Sequence, residues 1–95
     1  MHKAENKQKE EQDHEILVDI KLFASCRDMI GKDKITLKIK DQMTIGDLKK
    51  KILRLYPVLS LGIQFVVSLN YEIVSETTPI SQKDEVAILP PVSGG

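Results

Sequence analysis

The segment that decides the fold is Lys34–Pro57, which reads KITLKIKDQMTIGDLKKKILRLYP. Over Lys34–Lys40 apolar and polar residues alternate, as they do in a strand with one buried face. The inward positions of this strand are Ile35, Leu37 and Ile39. After Thr44 the apolar residues recur at every third or fourth position, which is the period of an amphipathic helix. The segment therefore predicts a strand followed by a helix.

The predicted helix has a start and an end in the sequence. Thr44 can cap its first turn with a side-chain oxygen, and Asp47 places an acid near the helix N-terminus. Pro57 ends the helix, because a proline disfavours helical backbone in the residue before it. The apolar stripe is predicted to be Ile45, Leu48, Ile52 and Leu55. A stripe of this kind allows a helix to pack on a sheet.

The residues before this segment predict an earlier strand, Ile16–Phe23. Four aliphatic residues of this strand share one face: Ile16, Val18, Ile20 and Leu22. Phe23 falls on the opposite face with Asp19 and Lys21, so its ring is a candidate partner contact. The alternation stops at Ala24–Asp33, where Gly31 is placed to end a short helical turn.

The residues after the helix predict further strands. Ile63–Asn70 is an extended run rich in β-branched residues, and Tyr71–Val74 is expected to pair with it across a turn. Ser75–Asp84 is predicted to be a polar loop. Glu85–Leu89 is apolar nearly throughout, which is typical of a central strand buried on both faces.

This order of elements predicts one α+β domain over residues 16–89. Two early strands, a crossover helix and the later strands make a mixed sheet with one main helix packed on one face, which is the β-grasp arrangement. Residues 1–15 contain three lysines, five acids and no large aliphatic side chain after Met1, so we expect a flexible polar tail. Residues 90–95 are expected to form a second, extended tail.

The composition argues against several classes of function. The 14 basic and 14 acidic residues leave no net charge, and the apolar stripe accounts for the basic helix, so we expect no nucleic-acid partner. No apolar run approaches the length of a membrane span, and the cytosol is the expected compartment. The single cysteine, Cys26, has no pair for a metal and no nearby histidine base, so we expect a packed thiol. No metal or stably bound cofactor is predicted.

The strongest functional pattern is the final run, Pro90-Pro91-Val92-Ser93-Gly94-Gly95. Paired prolines hold an extended course, and six extended residues reach up to about 20 Å beyond the domain. Glycine has no Cβ, so the last two residues can enter a narrow channel. A carboxylate becomes a good electrophile once ATP converts it to an acyl-adenylate. The pattern therefore predicts that the Gly95 carboxylate is a reactive group processed by other enzymes.

Three parts of the sequence form a recognisable set, Leu22-Phe23-Ala24 followed by Arg27, Leu69-Asn70, and the stretch from Asp84 to Gly95. Together they resemble the small subunit of molybdopterin synthase. The ending DEVAILPPVSGG is the most specific of the three. Two turn residues depart from the family pattern, since Lys83 stands where a glycine is usual and Tyr71 follows Asn70 more closely than is common.

The resemblance implies a ubiquitin-like β-grasp fold and a sulfur-carrier function. An E1-like enzyme would use ATP to adenylate Gly95, and sulfur transfer would convert the adenylate to a thiocarboxylate. The large subunit, which holds the catalytic residues, would pass this sulfur to cyclic pyranopterin monophosphate in the synthesis of the molybdenum cofactor. Two small and two large subunits form the usual complex. The implied partner-binding residues are Phe23, Arg27, Leu89, Pro90, Pro91, Val92 and Ser93, and Gly94 and Gly95 are the implied reactive end.

Three alternatives remain open on the sequence alone. The first is a protein modifier that forms isopeptide bonds through Gly95, because both uses begin with the same adenylate. The second is a sulfur carrier for thiamine or transfer-RNA thiolation, whose members usually lack the Pro-Pro pair. The third is a passive ubiquitin-like interaction domain, which has no need of a Gly-Gly end.

Overall fold

The structure is a computed structural model that describes residues 14–61 and 64–91. Five strands, two α-helices and one 3₁₀ helix lie in this part of the chain. In chain order they are β1 (Glu15–Leu22), α1 (Ala24–Ile30), β2 (Lys34–Lys40), α2 (Ile45–Leu55), the 3₁₀ helix (Pro57–Ser60), β3 (Val66–Leu69), β4 (Glu72–Ile73) and β5 (Val86–Leu89). The predicted order of elements is confirmed.

The five strands form one mixed sheet in the order β2-β1-β5-β3-β4. β1 and β2 are antiparallel along their length, with Glu15 opposite Lys40 and Lys21 opposite Lys34. β5 lies between β1, to which it is parallel, and β3, to which it is antiparallel. A parallel neighbour requires a crossover connection, and α2 lies within that connection. The α+β prediction and the central position of the last strand are confirmed.

The core lies between one face of the sheet and the helices. Burial alternates along β1 and β2 as the sequence predicts. α2 adds Ile45, Leu48 and Ile52 to the same buried cluster. Its first turn is capped by Thr44, whose hydroxyl oxygen accepts a hydrogen bond from the Asp47 N–H at 3.2 Å. Apolar burial of this kind contributes about 25 cal/mol per Å² removed from water, so this single core supplies most of the favourable free energy of folding.

Leu55, the predicted end of the helical stripe, is exposed rather than buried. α2 ends at this residue, and Pro57 leads the chain into the 3₁₀ helix, where Leu59 is fully buried. The stripe therefore has three members in the core instead of four. Periodicity identifies the side of a helix that faces the core, but it does not show where the covering elements end.

β3 and β5 are shorter than predicted. β3 begins at Val66, and the predicted start, Ile63, is outside the described residues. β5 begins at Val86, and its alternate residues Ala87 and Leu89 are only half-buried. The prediction that this strand is buried on both faces is wrong, because within the described residues the helices cover one face of the sheet only.

The sequence predicts a polar loop between β4 and β5, but one residue of this loop is apolar and buried. Ile80 in this loop is fully buried and belongs to the core. Its N–H donates to the Met43 carbonyl at 2.8 Å, and its carbonyl accepts from the Gln42 N–H at 3.0 Å. The loop is therefore fastened to the residues that lead into α2.

The amino-terminal limit of the domain is close to the predicted one. β1 begins at Glu15, one residue earlier than expected, and the carbonyl of His14 accepts from the Asp41 N–H at 2.9 Å. The predicted tail falls mainly on residues 1–13, which lie outside the described part of the chain. Among the described helices none is long and apolar enough to cross a membrane.

Candidate functional site

The sheet face opposite the core carries a shallow apolar groove of about 370 Å³. Its apolar walls come from Phe23, Tyr71, Ile73, Ala87 and Leu89. These residues belong to three different parts of the chain, and the order β1-β5-β3-β4 brings them side by side. We call this surface the docking groove. Exposed apolar surface of this kind, bordered by charged residues, is typical of a protein-binding site.

Phe23 is held firmly by its backbone while its side chain remains 46% exposed. Its N–H donates to the Ile88 carbonyl at 3.2 Å, which extends the pairing of β1 with β5. Its carbonyl accepts from the N–H groups of Cys26 and Arg27, at 3.1 and 3.3 Å, at the start of α1. The aromatic ring is thus an ordered, accessible contact. The sequence-based prediction that this ring lies off the core face is confirmed.

Arg27 and Leu89 each line a depression that also includes Phe23. Leu89 shares the docking groove with Phe23, whereas Arg27 lines an adjoining depression of about 340 Å³ that also includes Phe23 and Asp33. The Arg27 side chain is half-exposed, with Nε 3.8 Å from a carboxylate oxygen of Asp28. An ion pair between side chains as exposed as these contributes little to the stability of the fold. The Arg27 guanidinium is therefore available to a partner.

The tail predicted to be reactive begins after the last residue of β5, Leu89, which lines the docking groove. Leu89 pairs with Val66 as the last residue of β5, and Pro90 and Pro91 follow it. Pro90 is half-buried and Pro91 is exposed. The remaining predicted site residues, Val92, Ser93, Gly94 and Gly95, lie outside the described residues.

The other half of the same sheet face is polar. A depression of about 470 Å³ there is lined by residues of β1, β2 and the loop before β5, including Asp19 and Thr36. The Thr36 hydroxyl donates to Asp19 at 2.6 Å, and Lys34 lies 3.7 Å from the same carboxylate. The hydrogen bond from Thr36, with the nearby charge of Lys34, lowers the pKa of Asp19 below its ordinary value. The polar side chains of this half form hydrogen bonds and ion pairs with one another. The docking groove is therefore the better candidate for a partner-binding surface.

Comparison with known proteins identifies the family of the chain. A model of the ThiS family matches residues 20–95. The chain belongs to the ThiS family. A molybdopterin synthase sulfur carrier subunit from Dictyostelium discoideum is 38% identical over 80 residues, which is 80% of this chain and 93% of that protein. The resemblance drawn from the sequence is confirmed.

Solved structures similar to this ThiS-family chain have the ubiquitin-like fold. SAMP1 from Haloferax volcanii has a TM-score of 0.69 and 25% identity, covering 83% of this chain and 99% of that one. The complex of subunits 1 and 2 of the molybdopterin-converting factor from Helicobacter pylori 26695 gives a TM-score of 0.58 with 25% identity, covering 84% of this chain and 100% of that one. The ubiquitin-like β-grasp prediction is confirmed.

Three of the five residues that form the apolar walls of the groove were not predicted from the sequence as site residues: Tyr71, Ile73 and Ala87. Ala87 was assigned to a strand buried on both faces, and its half-exposed position shows that one face of that strand is free. The sequence places Tyr71 at the start of a strand, Tyr71–Val74, but β4 covers only Glu72–Ile73 and Tyr71 lies in the turn before it. An aromatic residue directly after Asn70, a residue that favours turns, could have indicated an exposed ring. The sequence does not show which other elements lie next to this turn.

Among the described residues, neither an accessible thiol nor a metal site lies beside the groove. Cys26 is fully buried, and burial raises the pKa of its thiol above the ordinary value, despite the adjacent Arg27. The packed thiol predicted from the sequence is confirmed. Within residues 14–61 and 64–91, no group of three His, Cys, Asp or Glu side chains is placed to hold a metal ion.

Thiol labelling tests the burial of Cys26. At pH 8 we expect a disulfide reagent to react with the native chain at least about a hundredfold more slowly than with the chain in urea, because the buried thiol must be exposed by opening before it ionises. The time course of absorbance of the released reagent anion measures both rates. Equal rates in the native and unfolded chain would show that the thiol is accessible.

Proposed function

We propose that this ThiS-family chain is the sulfur-carrier subunit of a molybdopterin synthase. The observation that carries the proposal is the continuity of the docking groove with the last strand. Leu89 lines the groove and leads directly into Pro90 and Pro91, so a partner bound at the groove would have the tail beside it. The named relative from Dictyostelium and the two-subunit complex from Helicobacter support this reading.

In the proposed reaction the chain supplies a group and other proteins supply the catalysis. An E1-like enzyme binds the tail, and the Gly95 carboxylate attacks the α-phosphorus of ATP with release of pyrophosphate. A persulfide of a donor protein then attacks the acyl carbon, which displaces AMP and leaves an acyl disulfide. A thiol of the donor protein reduces the S–S bond of this intermediate, so that the donor keeps a disulfide and Gly95 is released as a thiocarboxylate. ATP is consumed by the activating enzyme, and the chain itself holds no cofactor.

The docking groove brings the loaded tail to its acceptor. The large subunit would cover Phe23 and Leu89, and Arg27 would contact it at the rim. Six extended residues span up to about 20 Å, enough for Gly95 to enter an active site set back from the interface. There the thiocarboxylate sulfur would displace an oxygen substituent from a carbon of cyclic pyranopterin monophosphate. Water would then cleave the C–S bond to Gly95, which leaves the sulfur on the pterin and restores the carboxylate. Two copies of each subunit form the proposed complex.

A second candidate function is protein modification through Gly95. The similarity to SAMP1, a small archaeal modifier protein, favours it. In that case the adenylate would be attacked by a lysine amine of a target, and an isopeptide bond would form in place of the thiocarboxylate.

A two-stage mass measurement distinguishes these functions. The chain is first incubated with its activating enzyme, ATP and a sulfur donor, and a gain of about 16 Da is expected as sulfur replaces oxygen. The loaded chain is then mixed with the large subunit and cyclic pyranopterin monophosphate, and the gain should disappear as molybdopterin forms. Appearance of the chain on target lysines, with no thiocarboxylate, would contradict the carrier function and support the modifier function.

Phe23→Ala tests the docking groove itself. We expect it to weaken binding of the large subunit by about 1–3 kcal/mol, the range for a modest interface anchor. The melting temperature should change little, because the ring is outside the core. Isothermal calorimetry and thermal unfolding measure the two effects. The control is Leu61→Ala, which truncates an exposed residue outside the groove and should leave binding unchanged. A loss of stability of about 3 kcal/mol or more in Phe23→Ala would show a core role instead.

A further inference from the structure

The turn between β3 and β4 has an unusual composition. Asn70 and Tyr71 both have positive φ, at 52° and 70°, as a two-residue type I′ hairpin turn requires. Asparagine tolerates this conformation and glycine is the usual second residue, but a bulky aromatic residue is uncommon there. Strained backbone persists where surrounding contacts hold it, and it is concentrated at functional sites. Tyr71 is therefore a candidate for a functional role.

Hydrogen bonds fasten this turn to the residues just before β5. The Asn70 N–H donates to the Glu85 carbonyl at 2.7 Å, and the Asn70 side-chain oxygen accepts from the Glu85 N–H at 2.9 Å. The Tyr71 hydroxyl donates to Oε2 of Glu85 at 2.8 Å, and Lys21 Nζ lies 3.6 Å from the same oxygen. The turn is thus held by the hydrogen bonds of Asn70, and the far end of the Tyr71 side chain is held by its hydroxyl group.

The location of Tyr71 is that of an interface anchor. Its side chain is 78% exposed, yet it lines the docking groove together with Phe23 and Leu89. An ordered aromatic side chain provides a large contact area at a low entropy cost on binding. Tyrosine is also among the residues enriched at the energetic centres of interfaces. Tyr71 is not part of the hydrophobic core of the domain, so its ring is not needed there for packing.

We infer that Tyr71 is a second docking anchor that selects a partner presenting an apolar side chain beside a hydrogen-bond donor. The identity of this partner, the large subunit of the synthase, rests on the proposed function. The phenol hydrogen is committed to Glu85, so the phenol oxygen accepts from the partner. Phe23 and Leu89 supply apolar contact, and Tyr71 adds the requirement for a donor at the edge of the groove.

Tyr71→Gly separates docking from folding. We expect the Kd for the large subunit to rise at least about tenfold, because an anchor is lost. The melting temperature should not fall, because glycine adopts a φ of 70° without strain. Calorimetry and thermal unfolding measure the two quantities. The matched control is Tyr56→Phe, since Tyr56 follows α2 and lies outside the groove, and this variant should keep the Kd of the unmodified chain.

Tyr71→Phe and Glu85→Gln test the hydrogen bond to the phenol. Each is expected to raise the Kd by about 3- to 10-fold, and the double variant should be no weaker than Tyr71→Phe alone, because without the phenol Glu85 has no hydroxyl group to orient. The free chain has two tyrosines, so in a Tyr56→Phe background the phenolate absorbance reports Tyr71 alone. The hydrogen bond to Glu85 raises the pKa of Tyr71, and Glu85→Gln should lower that pKa toward its ordinary value.

The outcomes distinguish the docking role of Tyr71 from the proposed function. An unchanged Kd in Tyr71→Gly, together with weakened binding in Phe23→Ala, overturns the inference and leaves the proposed function intact. A large fall in the melting temperature of Tyr71→Gly also overturns the inference, because it would show that Tyr71 serves the fold. Failure of the unmodified chain to bind the large subunit overturns the proposed function and the inference with it.

Discussion

Deletion of Gly95 is expected to abolish the mass gain of about 16 Da that marks sulfur loading. The deletion moves the terminal carboxylate by one residue, roughly 3.5 Å. Displacement of a reacting group by about 1 Å can cost about a hundredfold in rate. Appending one residue after Gly95 should have the same effect, and Gly94→Val should obstruct the channel with a branched side chain. Intact mass after incubation with the activating enzyme, ATP and sulfur donor is the measurement.

The control for this prediction is one residue appended before Met1, which should leave the mass gain unchanged. All variants should keep the melting temperature of the unmodified chain, because the core is formed by residues that precede the tail. Conversion of the carboxy-terminally extended variant to the same extent as the unmodified chain would contradict the proposal that the Gly95 carboxylate is the reacting group.

Ile80→Ala is expected to lower the free energy of unfolding by about 2–5 kcal/mol, the range for truncating a fully buried isoleucine. The residue has no exposed surface, and its loop is joined to Met43 and Gln42 by backbone hydrogen bonds. Truncation leaves a cavity where the loop meets the entry to α2. For a domain of this size each kcal/mol corresponds to about 4–8 °C in melting temperature. Urea unfolding followed by circular dichroism measures the change.

Ile73→Ala provides the matched comparison, because Ile73 lies on β4 with 62% of its surface exposed. We expect this variant to lose less than about 1 kcal/mol of stability. It should nevertheless weaken docking, since Ile73 lines the groove. Similar losses of stability in the two variants would show that the loop is not part of the core.

These expectations assign stability and function to opposite faces of one sheet. The core face of β1 and β5 holds Ile20 and Ile88, which have no exposed surface. The outer face of the same two strands holds Lys21 and Leu89, which line the groove. Because side chains alternate along a strand, substitutions one residue apart should affect stability and docking separately.

The sequence alone determined the strands and the helix whose apolar residues recur at a regular spacing within one segment of the chain. Alternation identified β1 and β2, the three- and four-residue spacing identified α2, and Thr44 and Gly31 marked helix ends that the structure confirms. These features depend on neighbouring residues along the chain, so local physical chemistry is sufficient to predict them. The off-core position of Phe23 followed from the same alternation.

Only the tertiary structure decided what depends on contacts between distant segments. The exposure of Leu55, the burial of Ile80 and the open outer face of β5 follow from which elements cover which surfaces. The docking groove exists because β5 lies between β1 and β3, which brings Tyr71 near Phe23 although 47 residues separate them in the sequence. The spacing of apolar residues shows which face of a strand or helix is apolar. Which element packs on that face depends on the packing of the whole domain.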